Sequence, residues 1–330
     1  MKVILPVAGV GTRLRPLTLH LPKCLLPVAG NTIIGHILDA LSNLPVSEYI
    51  FVTGYQAEKV EDYIHRVYSH LNARFVLQEN PQGLGEAIHL CAEFLKDDEP
   101  VLIILGDTLF DADLLSLSHA SSNVLCTRVV QDPSRFGVAV ATPDGRISRL
   151  VEKPQNYVSN QALVGIYFLQ DVVSLRKSLE TLMQLNMRTR GEFQLTDALQ
   201  LMIDEGSEFY SGQIRGWLDC GKHDALLESN RLLLSRAKAQ VRKSYPGSTI
   251  IEPCYIAENV EISNSIIGPN VSLHEGCNLQ TVMLRDSVVA ANCYLDNSSL
   301  ERSILGESVT VRRFHGSLNL GDYSEINPED

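Results

Sequence analysis

Residues 5–28, LPVAGVGTRLRPLTLHLPKCLLPV, set glycines and cations directly after an apolar run. An apolar strand runs into the glycine turn Ala8-Gly9-Val10-Gly11-Thr12, and Arg13, Arg15 and Lys23 follow among three prolines. Such a turn leaves backbone N–H groups unpaired and, lacking Cβ atoms, lets them approach a phosphate closely. The glycines alone would read as a plain tight turn. Arg13 and Lys23 change that reading, because Arg offers a planar fork to phosphate oxygens and Lys a compact charge. Arg15 suits an exposed, solvated role equally well. Leu14 stands where a dinucleotide fingerprint needs its third glycine, and GxxxxGK[ST] does not occur here, so two common nucleotide-binding readings fail. A nicotinamide dehydrogenase is disfavoured with them.

Outward from this stretch the chain alternates strand and helix. TIIGHILDALSNL places Ile33, Ile34, Ile37, Leu38 and Leu41 on one helical face, and YIFVTG follows as a short buried strand. QAEKVEDYIHRVYSHL, ARFVLQ, GLGEAIHLCAEFL and VLIILGD continue as helix, strand, helix and strand. This is repeated βα winding around a mostly parallel sheet. Residues 124–169 turn strand-rich around a Pro-Asp-Gly turn, and helices are expected near 171–185 and 195–205.

From residue 222 the organisation changes. A linker helix is expected over 222–243, stopped by Tyr245-Pro246-Gly247. Beyond it Ile250, Ile256, Ile262, Ile267, Leu273, Leu279 and Leu284 recur every five or six residues, a period that is neither 3.6 nor 2. Short strands with one inward aliphatic each are what a hexapeptide-repeat β-helix requires. NSIIGPN, DSVVAAN and RSILGES read as one corner repeated three times. A β-sandwich would space its turns about 8–12 residues apart.

Composition sets outer limits. The 330 residues suffice for two domains, and a formal charge of -11 argues against a broad grip on nucleic acid. The seven cysteines show no metal-ligand spacing and read as reduced thiols of a cytoplasmic protein. The apolar start is too short for a signal peptide reading, and no segment reaches the roughly 18 apolar residues of a membrane span.

GVGTRLRPLTLHLPKCLLPV resembles the signature of the sugar-1-phosphate nucleotidylyltransferases, whose members include thymidylyl- and uridylyltransferases for glucose-1-phosphate. QGLGEAI, LGDTLF, FGVAV, LVEKP, LVGIYF, GEFQLTDAL and WLDCGKHDALLESN follow in the family's order, so the resemblance covers residues 1 to about 235. It implies a Rossmann-like α/β nucleotidyltransferase domain with a mixed, mostly parallel sheet over residues 1–243. A C-terminal left-handed parallel β-helix over 244–330 resembles the longer members. The implied partners are a nucleoside triphosphate and a sugar-1-phosphate, with Mg²⁺ as counterion and neither nucleic acid nor membrane.

The resemblance also assigns roles. Asp107 and Asp219 match the metal aspartates; taken alone they would read as a helix cap and a turn residue. Lys23 matches the α-phosphate contact and Arg13 the group that steadies departing pyrophosphate. Ala8, Gly9, Gly11 and Thr12 line the phosphates, while Gln78 and Gly83 face the base. A glutamine amide both donates and accepts, as a pyrimidine edge requires. Glu152, Lys153, Gly137, Gly165 and Arg190 match the sugar-phosphate side; the two glycines read equally as bulges.

Three positions depart from the thymidylyl pattern: Ala8 where Gly is common, Thr108 where Asn is frequent, and Gln194 where Glu is frequent. They bear on base and sugar, leaving dTTP with glucose-1-phosphate first, UTP second and a mannose-1-phosphate guanylyl reading third. A non-catalytic sugar-nucleotide-binding homologue would lack a metal carboxylate or the phosphate lysine, and this chain has both. In bifunctional relatives the β-helix carries acetyltransfer; His274 and His315 are the candidates here, but subunit association is the expected role of so short a tail.

Overall fold

Val3, Ile4 and Leu5 are fully buried in β1 (Lys2–Pro6), which pairs in parallel with β2 (Glu48–Thr53) on one side. β3 (Ala73–Leu77) continues that side beyond β2, and β4 (Val101–Ile104) flanks β1 on the other, both parallel. A central strand covered on both faces needs apolar residues without alternation, as KVILP and VLII supply. β5 (Thr108–Asp111) follows the β4 turn, and β6 (Asn123–Val129), β7 (Gly137–Ala141), β8 (Ile147–Glu152) and β9 (Gln161–Leu169) bring the antiparallel half. Among the described residues one nine-stranded sheet runs β8-β7-β9-β4-β1-β2-β3, with β6 against β9 and parallel to β10 (Phe209–Gln213). The Pro-Asp-Gly turn links β7 and β8, with the Gly145 N–H on the Thr142 carbonyl at 2.9 Å.

The structure is a computed structural model that describes residues 1–237 and 243–327. It falls into two compact units: Met1–Gly9 with Ile37–Trp217, and Val10–His36 with Leu218–Asp330. In the first unit α2 (Ala57–Val67) buries Val60 and Ile64. α4 (Val172–Gln184) follows α1 (Ile33–Leu41), α2 and α3 (Leu84–His89), and is capped by Asp171, whose carboxylate accepts the Ser174 N–H at 3.0 Å. It packs Leu175, Leu179 and Leu182 with Leu195, Ala198 and Leu199 of α5 (Leu195–Asp204) into the core of the sheet. α3 is shorter than its apolar pattern predicts. It stops at His89, and a separate 3₁₀ turn takes Ala92–Phe94.

In the second unit the C-terminal strands form a parallel β-helix. Ile256 pairs with Leu273, Leu273 with Val289, Val289 with Leu305 and Leu305 with Leu320, giving coils of 17, 16, 16 and 15 residues. The expected inward aliphatics Ile262, Ile267, Leu273, Leu279 and Leu284 share one buried core with Leu295, Leu300, Leu305 and Val311. The coils turn through left-handed backbone in three columns, Asn264/Thr281/Asn297/Arg313, Asn270/Asp286/Arg302 and Gly276/Asn292/Ser308/Tyr323. Asn and Asp tolerate that conformation better than most residues. The three look-alike segments are therefore not one corner. Each spans a face between two corners, and NSIIGPN runs from the first column to the second, whereas DSVVAAN and RSILGES run from the second to the third.

The linker helix is also shorter than expected. α6 (His223–Arg236) ends because Ala237 adopts extended backbone, ψ 143°, and residues 238–242 of the expected 222–243 span lie outside the described residues. No described helix is long and apolar enough to cross a membrane.

Candidate active site

In the first unit the carboxyl ends of β1, β2 and β4 meet with little space between backbones. A Cβ on Gly54 would lie 2.8 Å from the Ala8 Cβ, and one on Gly106 2.9 Å from the Pro6 carbonyl. The Gly106 N–H donates to that same carbonyl at 3.2 Å, while the Val7 N–H donates to Val52 at 2.8 Å. These contacts fix where the chain leaves β1. Gly9 is exposed, and nothing lies within 4 Å of the position a Cβ would take, so its backbone faces open space. Ligands of open α/β sheets bind at this edge, outside the carboxyl ends of the strands.

Asp107 sits at the same edge, one residue past Gly106 and half-buried, with the Thr108 hydroxyl 3.5 Å from its Oδ1. Its turn is set by Gly165. That glycine has φ +82° at an irregularity in the β6–β9 ladder, and its carbonyl accepts the Leu105 N–H at 2.9 Å. A Cβ there would meet the Leu105 side chain at 2.7 Å. Gly165 thus marks the bulge that seats the Asp107 turn. Tyr167, two residues on, is buried; burial pushes its phenol up, with Glu152, Cys126 and Asp107 adding negative charge nearby.

The residues expected at the base form a welded pair of loops. Gln78 is buried, with its amide N–H on the Gly83 carbonyl at 3.3 Å and on the Glu86 carboxylate. Gly83 has φ +124°, and a Cβ would sit 2.8 Å from the Phe193 nitrogen. Phe193 donates to the Gln82 carbonyl at 2.8 Å, and Gly85 donates to Phe193 at 2.7 Å. Gly83 is required here by the loop from α4 to α5, and Glu86, which orients Gln78, is a contributor that sequence motifs did not single out.

The residues expected on the sugar-phosphate side are packed as tightly. Glu152 keeps 8% side-chain exposure, receives the Thr196 hydroxyl at 2.7 Å, and faces Lys153 Nζ at 3.2 Å. A Cβ on Gly137 would lie 2.8 Å from Glu152 Oε2 and 2.9 Å from the Thr196 hydroxyl. Lys153 has φ +41° and its carbonyl accepts Arg190 Nη2 at 2.8 Å. Burial pushes the Asp197 carboxyl up, opposed by a hydrogen bond from Thr189 and aided by nearby Glu152. Glu152, Thr189 and Asp197 line one open cavity of about 540 Å³. Thr196 and Asp197 were legible only as part of GEFQLTDAL, without individual roles. The Phe136 and Trp217 rings meet edge-on, centroids 5.0 Å apart.

The second unit holds the cationic part of the signature. Gly11, at φ +67°, opens the 3₁₀ turn Thr12–Leu14 and leaves Thr12 and Arg13 exposed. Lys23 begins a second 3₁₀ turn, Lys23–Leu25, and is only 8% exposed. A Cβ on Gly11 would meet the Lys23 Cβ at 3.0 Å and Thr18 Cγ2 at 3.1 Å, while the Thr18 hydroxyl donates to the Gly11 carbonyl at 2.8 Å. One glycine thus keeps both turns in register. Asp219 closes β11 (Gly216–Asp219), and its side chain lies outside the described residues. Among the described residues no three His, Cys, Asp or Glu side chains form a metal-binding group. Mg²⁺ often takes only one or two protein carboxylates, so Asp107 retains the chemistry of such a ligand. His274 is half-buried, its buried Nε2 has no hydrogen-bond partner, and desolvation pushes its ring down to about 4.

The nucleotidyl transferase family model matches residues 2–236. The chain is 28% identical over 359 residues to a glucose-1-phosphate thymidylyltransferase of Streptomyces antibioticus, covering 99% of each. It is 31% identical over 283 residues to the bifunctional protein GlmU of Methanococcus vannielii, covering 84% of this chain and 61% of that protein. A solved Bacillus anthracis structure, assigned as a glucose-1-phosphate thymidylyltransferase and complexed with sucrose, superposes with TM-score 0.62 at 26% identity, covering 73% of this chain and 98% of that one. The glycine turn, the welded loops and the Glu152 cluster all lie inside the matched span, and the chain belongs to the nucleotidyl transferase family as a sugar-1-phosphate nucleotidyltransferase.

Proposed function

We propose that this enzyme joins dTTP and glucose-1-phosphate into a nucleoside diphosphate sugar, releasing pyrophosphate, and that it requires Mg²⁺. The segment Gly9–Lys23 carries this reading: an open glycine backbone followed by the exposed Arg13 and the buried Lys23. Attack of a sugar-phosphate oxygen on the α-phosphorus gathers negative charge, so positioning and neutralisation supply most of the catalysis. Lys23 holds the α-phosphate, and Arg13 steadies the leaving pyrophosphate. Glu152 and Lys153 grip the sugar hydroxyls and phosphate, helped by Arg190, while Gln78 reads the base. Asp107 and Asp219 are the carboxylates that would hold Mg²⁺, which when bound neutralises phosphate charge.

The Streptomyces antibioticus relative, matched over its whole length, favours thymidylyl transfer. UTP is the second choice, since a pyrimidine-reading glutamine serves both bases. Residues 1–243 would form the catalytic domain and 244–330 a β-helix domain through which copies of the chain associate, in the cytoplasm. The test is pyrophosphate release from glucose-1-phosphate with each triphosphate in turn, with and without Mg²⁺. Asp107→Ala and Lys23→Ala should lose turnover by about 100-fold or more while melting near the wild type. Wild-type rates in either variant would refute the assigned roles.

A further inference from the structure

Within the second unit, the segment bearing Arg13 and Lys23 is built onto the β-helix. Pro27 pairs with Thr32 and Val28 with Asn31 in a short hairpin, whose turn residues Ala29 and Gly30 have φ of +47° and +89°. Two positive φ angles suit a two-residue hairpin, but alanine adopts one reluctantly. Its backbone is held from outside. The Ala29 N–H donates to Asn230 Oδ1 at 2.9 Å. Asn230, on α6, is 1% exposed and held at both ends of its amide: its Oδ1 also accepts the Ser272 hydroxyl at 2.6 Å, and its Nδ2 donates to the Asn270 carbonyl at 3.0 Å. Ser272 and Asn270 belong to the β-helix. The neighbouring Arg231 donates to Asp286 Oδ1 at 2.9 Å, fastening α6 to the same coils.

Two glycine contacts repeat the pattern. The Tyr255 ring fills the place where a Gly30 Cβ would stand, 2.5 Å away, and a Cβ on Gly321 would lie 3.1 Å from the Pro16 carbonyl. From the hairpin the order passes directly to Lys23: Ile33 donates to the Leu26 carbonyl at 3.1 Å, and Leu26 to the Lys23 carbonyl at 3.1 Å.

We infer that Asn230 is a positioning residue for Lys23, and that the β-helix is the template on which the phosphate-binding segment is set. The inference rests on the reading of Lys23 as the α-phosphate contact. An acceptor at 230 is needed to hold Ala29; Asn230→Asp keeps it but loses the donor to the Asn270 carbonyl, so its activity should fall between wild type and Asn230→Leu. A misplacement of about 1 Å costs on the order of 100-fold in rate, so Asn230→Leu should lower kcat about 10- to 100-fold with little change in KM for sugar-1-phosphate.

The experiment combines kinetics with amide hydrogen exchange on the full chain. Asn230→Leu, Asn230→Asp, Tyr255→Ala and the control Asp224→Ala, an exposed ion-pair partner of Arg302, are compared with wild type and with Lys23→Ala. Support is a kcat loss in Asn230→Leu that shrinks to about twofold in the Lys23→Ala background, partial rescue by Asn230→Asp, and faster exchange at Leu26 and Ala29 with the Val282 and Ser303 amides unchanged. An unchanged kcat, or an equal loss with and without Lys23, overturns it. If Asn230→Leu fails to fold, Tyr255→Ala decides by the same measures. If the wild type turns over no substrate pair, the functional reading has failed. Exchange at Leu26 and Ala29 then decides alone: faster exchange sustains the template, and unchanged exchange overturns it.

Discussion

Replacing Gly137 with alanine places one methyl group at the centre of the sugar-phosphate cluster. The new Cβ would stand 2.8 Å from Glu152 Oε2 and 2.9 Å from the Thr196 hydroxyl, closer than real Cβ contacts allow. Those two atoms are bonded to each other at 2.7 Å, so both must move and their hydrogen bond must lengthen or break. A hydrogen bond to a charged group is worth about 1.5–3 kcal/mol. A loss of about 2 kcal/mol on sugar-phosphate recognition corresponds to about 30-fold, at about 1.4 kcal/mol per tenfold. The assay is steady-state kcat/KM with sugar-1-phosphate varied at saturating triphosphate, and then the reverse. Gly137→Ala should lose about 30-fold in the first series and at most a few-fold in the second. Thr196→Val, which removes the donor without adding bulk, should reproduce about 10-fold of the loss. Equal losses in both series, or none in either, would refute the placement of Glu152 on the sugar side.

Gly83→Ala should act on stability first. Its φ of +124° and the approach to the Phe193 backbone predict about 3 kcal/mol or more of destabilisation, read as a fall in Tm of about 6–12 °C; an unchanged Tm would contradict the welded loops. His274 predicts a pH effect. Its folded value of about 4 lies below the ordinary 6.5, so the unfolded chain binds the extra proton as pH falls from 6.5 towards 4. Stability should therefore drop across that window by about 1.4 kcal/mol per pH unit at the steepest, and His274→Phe should flatten this part of a urea-denaturation profile.

Much of this architecture was legible because the signals were periodic. The five-to-six-residue recurrence of single aliphatics announced the β-helix, and uninterrupted runs such as VLII announced strands buried on both faces. What escaped was set by contacts distant in sequence. The corner columns became visible only when coils of 15–17 residues were stacked, since any face between two left-handed corners looks alike in sequence. α6 stops at Arg236 although its composition would extend it, because Ala237 turns to extended backbone. Gly11 and Lys23 were singled out by the glycine-and-cation pattern itself, whereas Gln78, Glu152 and Asp107 were singled out only through the family resemblance. The reasons their neighbours are fixed were not legible: Gly83 serves the Phe193 backbone, Gly165 serves Leu105, and Glu86 and Thr196 hold Gln78 and Glu152. A side chain that positions another carries no local pattern of its own.

Under the proposed function, Asp107 and Asp219 would each ligate the Mg²⁺ that neutralises the triphosphate. An anomalous difference map from crystals grown with Mn²⁺ and a non-hydrolysable dTTP analogue tests it most directly. One strong peak is expected within about 2.0–2.3 Å of a carboxylate oxygen from each aspartate and of a phosphate oxygen. A peak bound to the phosphates but to neither aspartate, or two peaks held separately by them, would contradict it.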